Sequence, residues 1–431
     1  MTARAVKTGR APDTVFVRGF GFAEGLEWGF WLAAVIFWVV ELDLSPLRLV
    51  ALSLSIEIAV LLAESPTGVV ADLRSRKWSI VISEFVIGLA FIAMVLTTNY
   101  WIVLVSLVIF GIGWTFRSGA DLAWVTDELI GQGVITGEND ADNKDADSKG
   151  ADDDGFVAAL LLRKQRLGLI VAVPTLLITI AIGYFTTVRL AAGAMGALHL
   201  LIAIYFVTHM IEDHFVPGQE RGESFFGTLR RGIGVIATRP RLRILVVVIA
   251  LVSFAAEAFD SLGFKHFLDT LDPDGAIPEE SIVLLGALFL ALAVAGFVVN
   301  AITDYRLKRG TALARAVVAC SVIAAIGGFI SAASGVAIFI AVGFLVQDGS
   351  RNALFPLFEG WANRDAPSEV RATVHSLTGQ FTSLGQLAGG IILGTLAGVR
   401  AIPISLAVAS VVLLLAGACL LYTSPSPRDR G

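Results

Sequence analysis

Gly68-Val-Val-Ala-Asp72-Leu-Arg74-Ser-Arg76-Lys77 closes one long apolar run, and Asn300-Ala-Ile-Thr-Asp304-Tyr-Arg306-Leu-Lys308-Arg309 closes another. Both read Asp-x-Arg-x-basic-basic, 232 residues apart. Gly111 and Gly343 share that offset, as do Asp127 and Glu359. A spacing kept constant from Asp72 to Asp127 marks a duplicated unit rather than a chance match. The two copies follow the second apolar run of each half, so the repeat is a bundle of helices used twice.

Composition says where such bundles lie. Of the 431 residues 56% are hydrophobic and 16% charged, against about 25% charged in soluble domains. Apolar runs of 18 or more residues recur along the chain, and each can cross a hydrocarbon layer about 30 Å thick as a helix. Breaks at charges, Pro and Gly give twelve spans. They fall near 15–40, 47–67, 79–97, 102–127, 167–187, 190–211, 244–267, 282–303, 311–332, 336–357, 372–398 and 401–421. A spanning segment must satisfy its backbone internally, so all twelve are expected to be helices. The expected fold is an all-α membrane protein of two pseudo-symmetric six-helix bundles. One covers 1–211 and the other 244–418, joined by a cytoplasmic linker at 212–243.

The odd-numbered connections hold only Arg48, Arg189, Lys265 and Arg400 among their bases, and the N-terminus with the even-numbered connections hold nearly all the rest. Positive charge stays on the cytoplasmic side. Both termini are therefore expected in the cytoplasm, with the chain in the inner (plasma) membrane as a multi-pass monomer. The formal net charge of −5 comes largely from Glu138 to Asp154, within an acidic stretch at 137–155. That stretch lacks apolar residues and is expected to be disordered; it also lacks the Gly and closing Glu of a calcium loop. No basic patch with interleaved aromatics points to nucleic acid. Two cysteines, Cys320 and Cys419, exclude a disulfide framework or a zinc site. There is no Walker loop, nucleophile elbow or His-Glu-x-x-His helix, so neither an enzyme nor a cofactor or metal site is expected. His209, Glu212 and His214 sit at the end of span six without a third ligand of suitable spacing, and an interfacial role fits them better. Cys419-Leu-Leu-Tyr-Thr-Ser-Pro-Ser-Pro-Arg-Asp429 matches the translation of a transposase-type sequencing adapter, so 419–431 is read as foreign to the native chain.

Glu64-Ser-Pro-Thr-Gly-Val-Val-Ala-Asp-Leu-Arg-Ser-Arg-Lys77 resembles the loop between helices two and three of the major facilitator superfamily (MFS). Gly111-x-Gly-Trp-Thr-Phe-x-Ser-Gly-Ala120, Ala123-Trp-Val-Thr-Asp-Glu128, Glu257-Ala-Phe-Asp260 with His266, and Pro367-Ser-Glu-Val-Arg-Ala-Thr373 look like its drug–proton antiporters. The Gly-Pro-rich motif of many such antiporters is absent from span five, which has the lone Pro174. The resemblance implies a secondary transporter. It also implies that Asp72, Arg74, Arg76, Asp304 and Arg306 form a cytoplasmic gate, bonded to one another and to a helix of the other half. Gly390, Gly394 and Gly398 give span eleven a face for close helix packing.

A charge within a span costs about 2.5 kcal/mol or more, which makes it a functional candidate. Glu24 and Glu27 lie three apart in span one, Glu257 and Asp260 three apart in span seven, so each pair shares a helix face. The two pairs are expected to meet in one water-accessible hollow. Four carboxylates there cannot all be ionised cheaply, so one can take a proton in one state and release it in another. Trp28, Trp31 and Trp114 can offer aromatic faces to a lipophilic cation. Arg117 and Asp121, four apart, can neutralise each other; Glu57, Glu64 and Glu84 lie toward span ends and read as structural. The expected function is proton-coupled efflux of an amphipathic or cationic small molecule. The alternative is uptake of a nutrient or metabolite by symport or facilitated diffusion.

Overall fold

A computed structural model describes residues 11–135, 146–215, 233–271, 278–309, 313–365 and 371–423, and these are helices with short turns between them. In the first part of the chain α1 is Pro12–Ile36, α2 Pro46–Leu73, α3 Arg76–Val95, α4 Tyr100–Arg117, α5 Ala120–Gly131, α6 Ala146–Phe185 and α7 Val188–His209. Then follow α8 Pro240–Ala258, α9 Phe264–Leu271, α10 Pro278–Lys308, α11 Leu313–Ala333, α12 Ala337–Asn352, α13 Leu354–Asp365, α14 Arg371–Val399 and α15 Ile402–Thr423. Wider π turns follow α1 at Phe37–Glu41 and α8 at Phe259–Gly263. The starts are written in the sequence. Ser75, Asn99 and Thr187 accept the first free backbone N–H groups of α3, α4 and α7 at 3.0, 2.9 and 3.2 Å, and α1 and α8 open on Pro12 and Pro240, whose missing N–H would have been unpaired there anyway.

Among the described residues eleven helical segments are long and apolar enough to cross a membrane. The tenth expected span is the exception. It is split at Ala353 into α12 and α13, just ahead of Pro356, which has no N–H to bond the carbonyl of Asn352. The acidic stretch also departs from expectation. Residues 136–145 lie outside the described ones, but α6 starts at Ala146 and so takes in residues 146–155 as helix. Acidic residues ahead of a long helical run complement the positive end of its dipole. The adapter-like tail is helical through Thr423 and lies outside the described residues beyond it.

The chain divides into two compact units, Met1–Phe37 with Ala59–Glu220, and Trp38–Ile58 with Arg221–Gly431. In the first unit α1 packs on α6 and α7, and α3 on α4 and α7. In the second, α8 packs on α14 and α15, and α11 on α12 and α15. Within each unit the same four helix pairings recur, so the duplication read from Asp72 and Asp304 is a duplication of packing. The architecture is all-α, two units built on the same helix pairings, and the chain is a multi-pass membrane protein.

One helix of the second unit has two close-packed faces. A Cβ on Gly385 or Gly389 of α14 would sit 2.5 Å from the carbonyl oxygen of Ala250 and 2.2 Å from that of Phe254, both backbone atoms of α8. A Cβ on Gly390 or Gly394 would instead meet side chains of α2, Leu54 at 2.4 Å and Val50 at 2.8 Å. Gly398 has looser company, Leu47 at 3.9 Å. The glycine series of span eleven therefore serves packing, as its spacing implies.

Candidate functional site

Each unit buries its own group of charged side chains. In the first, α4 ends on Arg117 and the chain turns through Ser118 and Gly119 before α5; Gly119 has φ +75, a conformation that suits glycine. The arginine thus stands at the negative end of the α4 dipole. Its guanidinium lies 4.2 Å from the Trp114 ring centre and donates to Glu84 on α3 and Glu27 on α1, each at 3.0 Å. The second carboxylate oxygen of Glu84 is 2.8 Å from Nδ1 of His199 on α7. Arg117, Glu27, Glu84 and His199 are all buried. An aromatic wall stands beside them: Phe91 meets the His199 ring edge-on at 5.4 Å, and Trp31 is edge-on to Phe110 at 5.5 Å.

Several expectations change here. Glu24 and Glu27 diverge, since Glu24 pairs with Lys164 of α6 at 2.6 Å while Glu27 faces Arg117. No ion pair joins Arg117 to Asp121. The break at Ser118–Gly119 takes Asp121 out of the register that a continuous helix would give, and its carboxylate accepts the N–H of Leu122 at 2.7 Å. Glu84, read as structural near a span end, is at the centre of the group. One face of Trp114 is taken by the protein's own arginine, and Trp31 is packed among phenylalanines; Trp28, like both of these, is half-buried.

The second unit is organised around Arg351, in the last turn of α12. It grips Asp260 through both terminal nitrogens, at 2.8 and 3.0 Å, and Asp348 at 2.6 Å. Asn352 donates to the other oxygen of Asp348 at 2.8 Å. Asp260 lies in the π turn after α8. The wider turn shifts the helical register, so Asp260 and Glu257 do not share a partner. Glu257 is buried and accepts from the Ser261 hydroxyl at 2.5 Å and from Ser53 of α2. No lysine, arginine or histidine among the described residues pairs with it. His266 bonds the carbonyl of Ser331 at 3.1 Å, a structural contact.

At the basic loop, Arg76 pairs with Asp127 of α5 and donates to the carbonyl of Ala123 at 2.8 Å. Lys77 donates to the carbonyl of Met210 at 2.8 Å, and Ser75 Oγ and the Lys77 N–H both donate to Glu212, at 2.5 and 2.9 Å. Glu128 takes the His214 backbone N–H and ring Nδ1, each at 2.9 Å. These contacts tie α3 and α5 to the chain that follows α7. Arg74 and Arg306 are exposed, and the side chains of Asp72 and Asp304 lie outside the described residues.

His199, Asp348 and Arg351 were missed as site residues by sequence reasoning. His199 is a lone ionisable side chain in an apolar run, which is itself a signal. Arg351 is 234 residues after Arg117, two off the repeat, and a search allowing small insertions pairs them.

Sequence comparison with family models and with curated proteins gives no match. Solved structures do match the fold. The chain is 16% identical to the nucleoside transporter NupG, covering 96% of this chain and 100% of that one with a TM-score of 0.70. A POT family transporter in complex with 5-aminolevulinic acid is 12% identical, with 96% of each chain covered and a TM-score of 0.69. A bacterial homologue of the human lysosomal transporter Spinster, inward-facing and unoccupied, is 13% identical over 96% of this chain and 99% of that one, at a TM-score of 0.64. At these identities the likeness is one of fold.

Proposed function

We propose that this chain is a secondary active transporter of the MFS type that couples the movement of a small organic molecule to protons by alternating access, with Glu257 as a proton-carrying group. The observation that carries the reading is Glu257 itself, a buried carboxyl group bonded to serine hydroxyls and left without a cation. Such a group is expensive to keep charged in an apolar interior, and a proton or a cationic solute relieves the cost. Among the described residues of the second unit, Arg351 is the cation that faces Asp260 and Asp348, and Glu257 has none. That surplus of negative charge favours a cationic or amphipathic cargo, exported in exchange for protons, as in the drug–proton antiporters the motifs resemble. The bias of Lys and Arg supports an inner-membrane protein with both ends in the cytoplasm. A different specificity, uptake of a polar metabolite, draws on the guanidinium at the heart of each unit and on the absent Gly-Pro motif of span five.

Proteoliposomes with imposed pH gradients test the proposal, using fluorescent lipophilic cations and radiolabelled nucleosides and peptides as probes. Glu257→Gln should abolish gradient-driven transport of whichever probe is carried while leaving its counterflow intact. Unchanged gradient-driven transport in the variant refutes the role of Glu257. Transport of every carried probe that ignores a collapsed pH gradient refutes proton coupling.

A further inference from the structure

The first unit holds more negative charge than its cations balance. Arg117 faces Glu27 and Glu84, and Lys164 faces Glu24. Asp121 on α5 acts electrostatically on Arg117 and is itself acted on by Lys164. Four carboxylates, Glu24, Glu27, Glu84 and Asp121, thus stand against two permanent cations. Buried charge of one sign is costly unless something neutralises it. The remaining titratable group is His199, and its geometry suits that task. Its ring is fully buried against Phe91, Nδ1 is 2.8 Å from Glu84, and Nε2 has no hydrogen-bond partner among the described residues. With the ring hydrogen on Nδ1 donated to Glu84, the lone pair on Nε2 is free to take a proton.

We infer that Glu84 and His199 form a second proton-binding site, buried in the first unit and separate from Glu257. The proton adds to Nε2 of His199, or to Glu84 with Nδ1 then accepting from it. In either form the pair gains one positive charge, which offsets the excess left by Glu27 and Glu84 on a single arginine. Of the two acids bonded to Arg117, Glu27 is the more exposed, with 12% of its side chain accessible against none for Glu84. Of the charged side chains on the helices packed around His199, those that act on this group are Glu84 on α3 and Glu24 and Glu27 on α1, with Lys164 on α6 paired to Glu24, and with Arg117 and Asp121 one layer further out on α4 and α5.

The site does not depend on what the protein carries, so it is tested without transport. The full chain in detergent is titrated with acid while infrared difference spectra follow buried carboxyl and imidazole bands and a pH electrode counts protons taken up. His199→Gln keeps a side-chain N–H able to donate to Glu84 but cannot titrate. It should take up one proton fewer than the wild type and lose the imidazole band. Glu84→Gln should remove the same proton, the double variant no more than either single one, and Glu257→Gln a different one. Thermal unfolding of each variant guards against misfolding, and the double variant, which carries a neutral amide pair, is the folded control if Glu84→Gln alone is unstable. Proton counts and bands unchanged in His199→Gln and in the double variant overturn the inference. Loss of the same proton in Glu257→Gln also overturns it, since the two sites would then be one.

Discussion

Replacing Arg117 with Met keeps an unbranched apolar stem and removes the guanidinium, its charge and its donors. Two buried carboxylates lose their charge-assisted bonds at 3.0 Å, and the Trp114 ring loses the cation against its face. Glu84 still has His199 at 2.8 Å, while Glu27 has no second ion-pair partner among the described residues. Removing one member of a buried ion pair costs about 3–5 kcal/mol, chiefly because the other charge is stranded. For a unit of this size each kcal/mol moves the melting temperature by roughly 2–4 °C, so a fall on the order of 10 °C is expected. A thermal-unfolding series on detergent-purified protein measures it. The decisive variant adds Glu27→Gln and Glu84→Gln to Arg117→Met. With no charge left to strand, it should recover most of the lost stability. A single variant that melts within about one degree of the wild type, or a triple variant no better than the single, refutes the reasoning that the arginine is held there by charge.

Three further outcomes follow from the same geometry. Arg351→Met should destabilise the second unit by a similar ~3–5 kcal/mol, and Asp260→Asn added to it should restore part of that, because Asp348 keeps Asn352 as a donor. Gly389→Ala should lower the melting temperature clearly while Gly390→Ala changes it little, since the first new methyl meets the Phe254 backbone and the second the movable end of Leu54. Arg76→Gln, at a half-exposed pair with Asp127, should cost only about 1 kcal/mol in thermal unfolding yet change the rate of transport in proteoliposomes; an unaltered rate would reduce the loop to a topological anchor.

Fold and site were legible to different depths. The repeat was visible because Asp72 and Asp304 end equivalent apolar runs, and hydropathy reports burial in lipid directly. Span ten was read as one run at 336–357, and its break at Ala353 went unread although Pro356 stands three residues on. Glu27, Glu257 and Asp260 stood out because ionisable residues are rare in such runs. Their partners did not. Whether Arg117 meets Asp121 or Glu27 is decided by a turn at Ser118 and Gly119 and by helices far apart in the chain, and no local spacing encodes that. The π turn at Phe259–Gly263 likewise parts Glu257 from Asp260 without leaving a trace in residue order.

The glycines of α14 grip their two neighbours unequally. Against α8 the contact is main chain to main chain, with no atoms free to give way, so these helices are bound to travel as one piece. Against α2 it is main chain to the tips of Leu54 and Val50, which can swing aside by changing rotamer. A membrane machine that must repeatedly part and rejoin its helices would place the yielding seam where motion is wanted and the stiff one where shape must be kept. Under the proposed alternating access, α2 rather than α8 is the helix expected to part from α14.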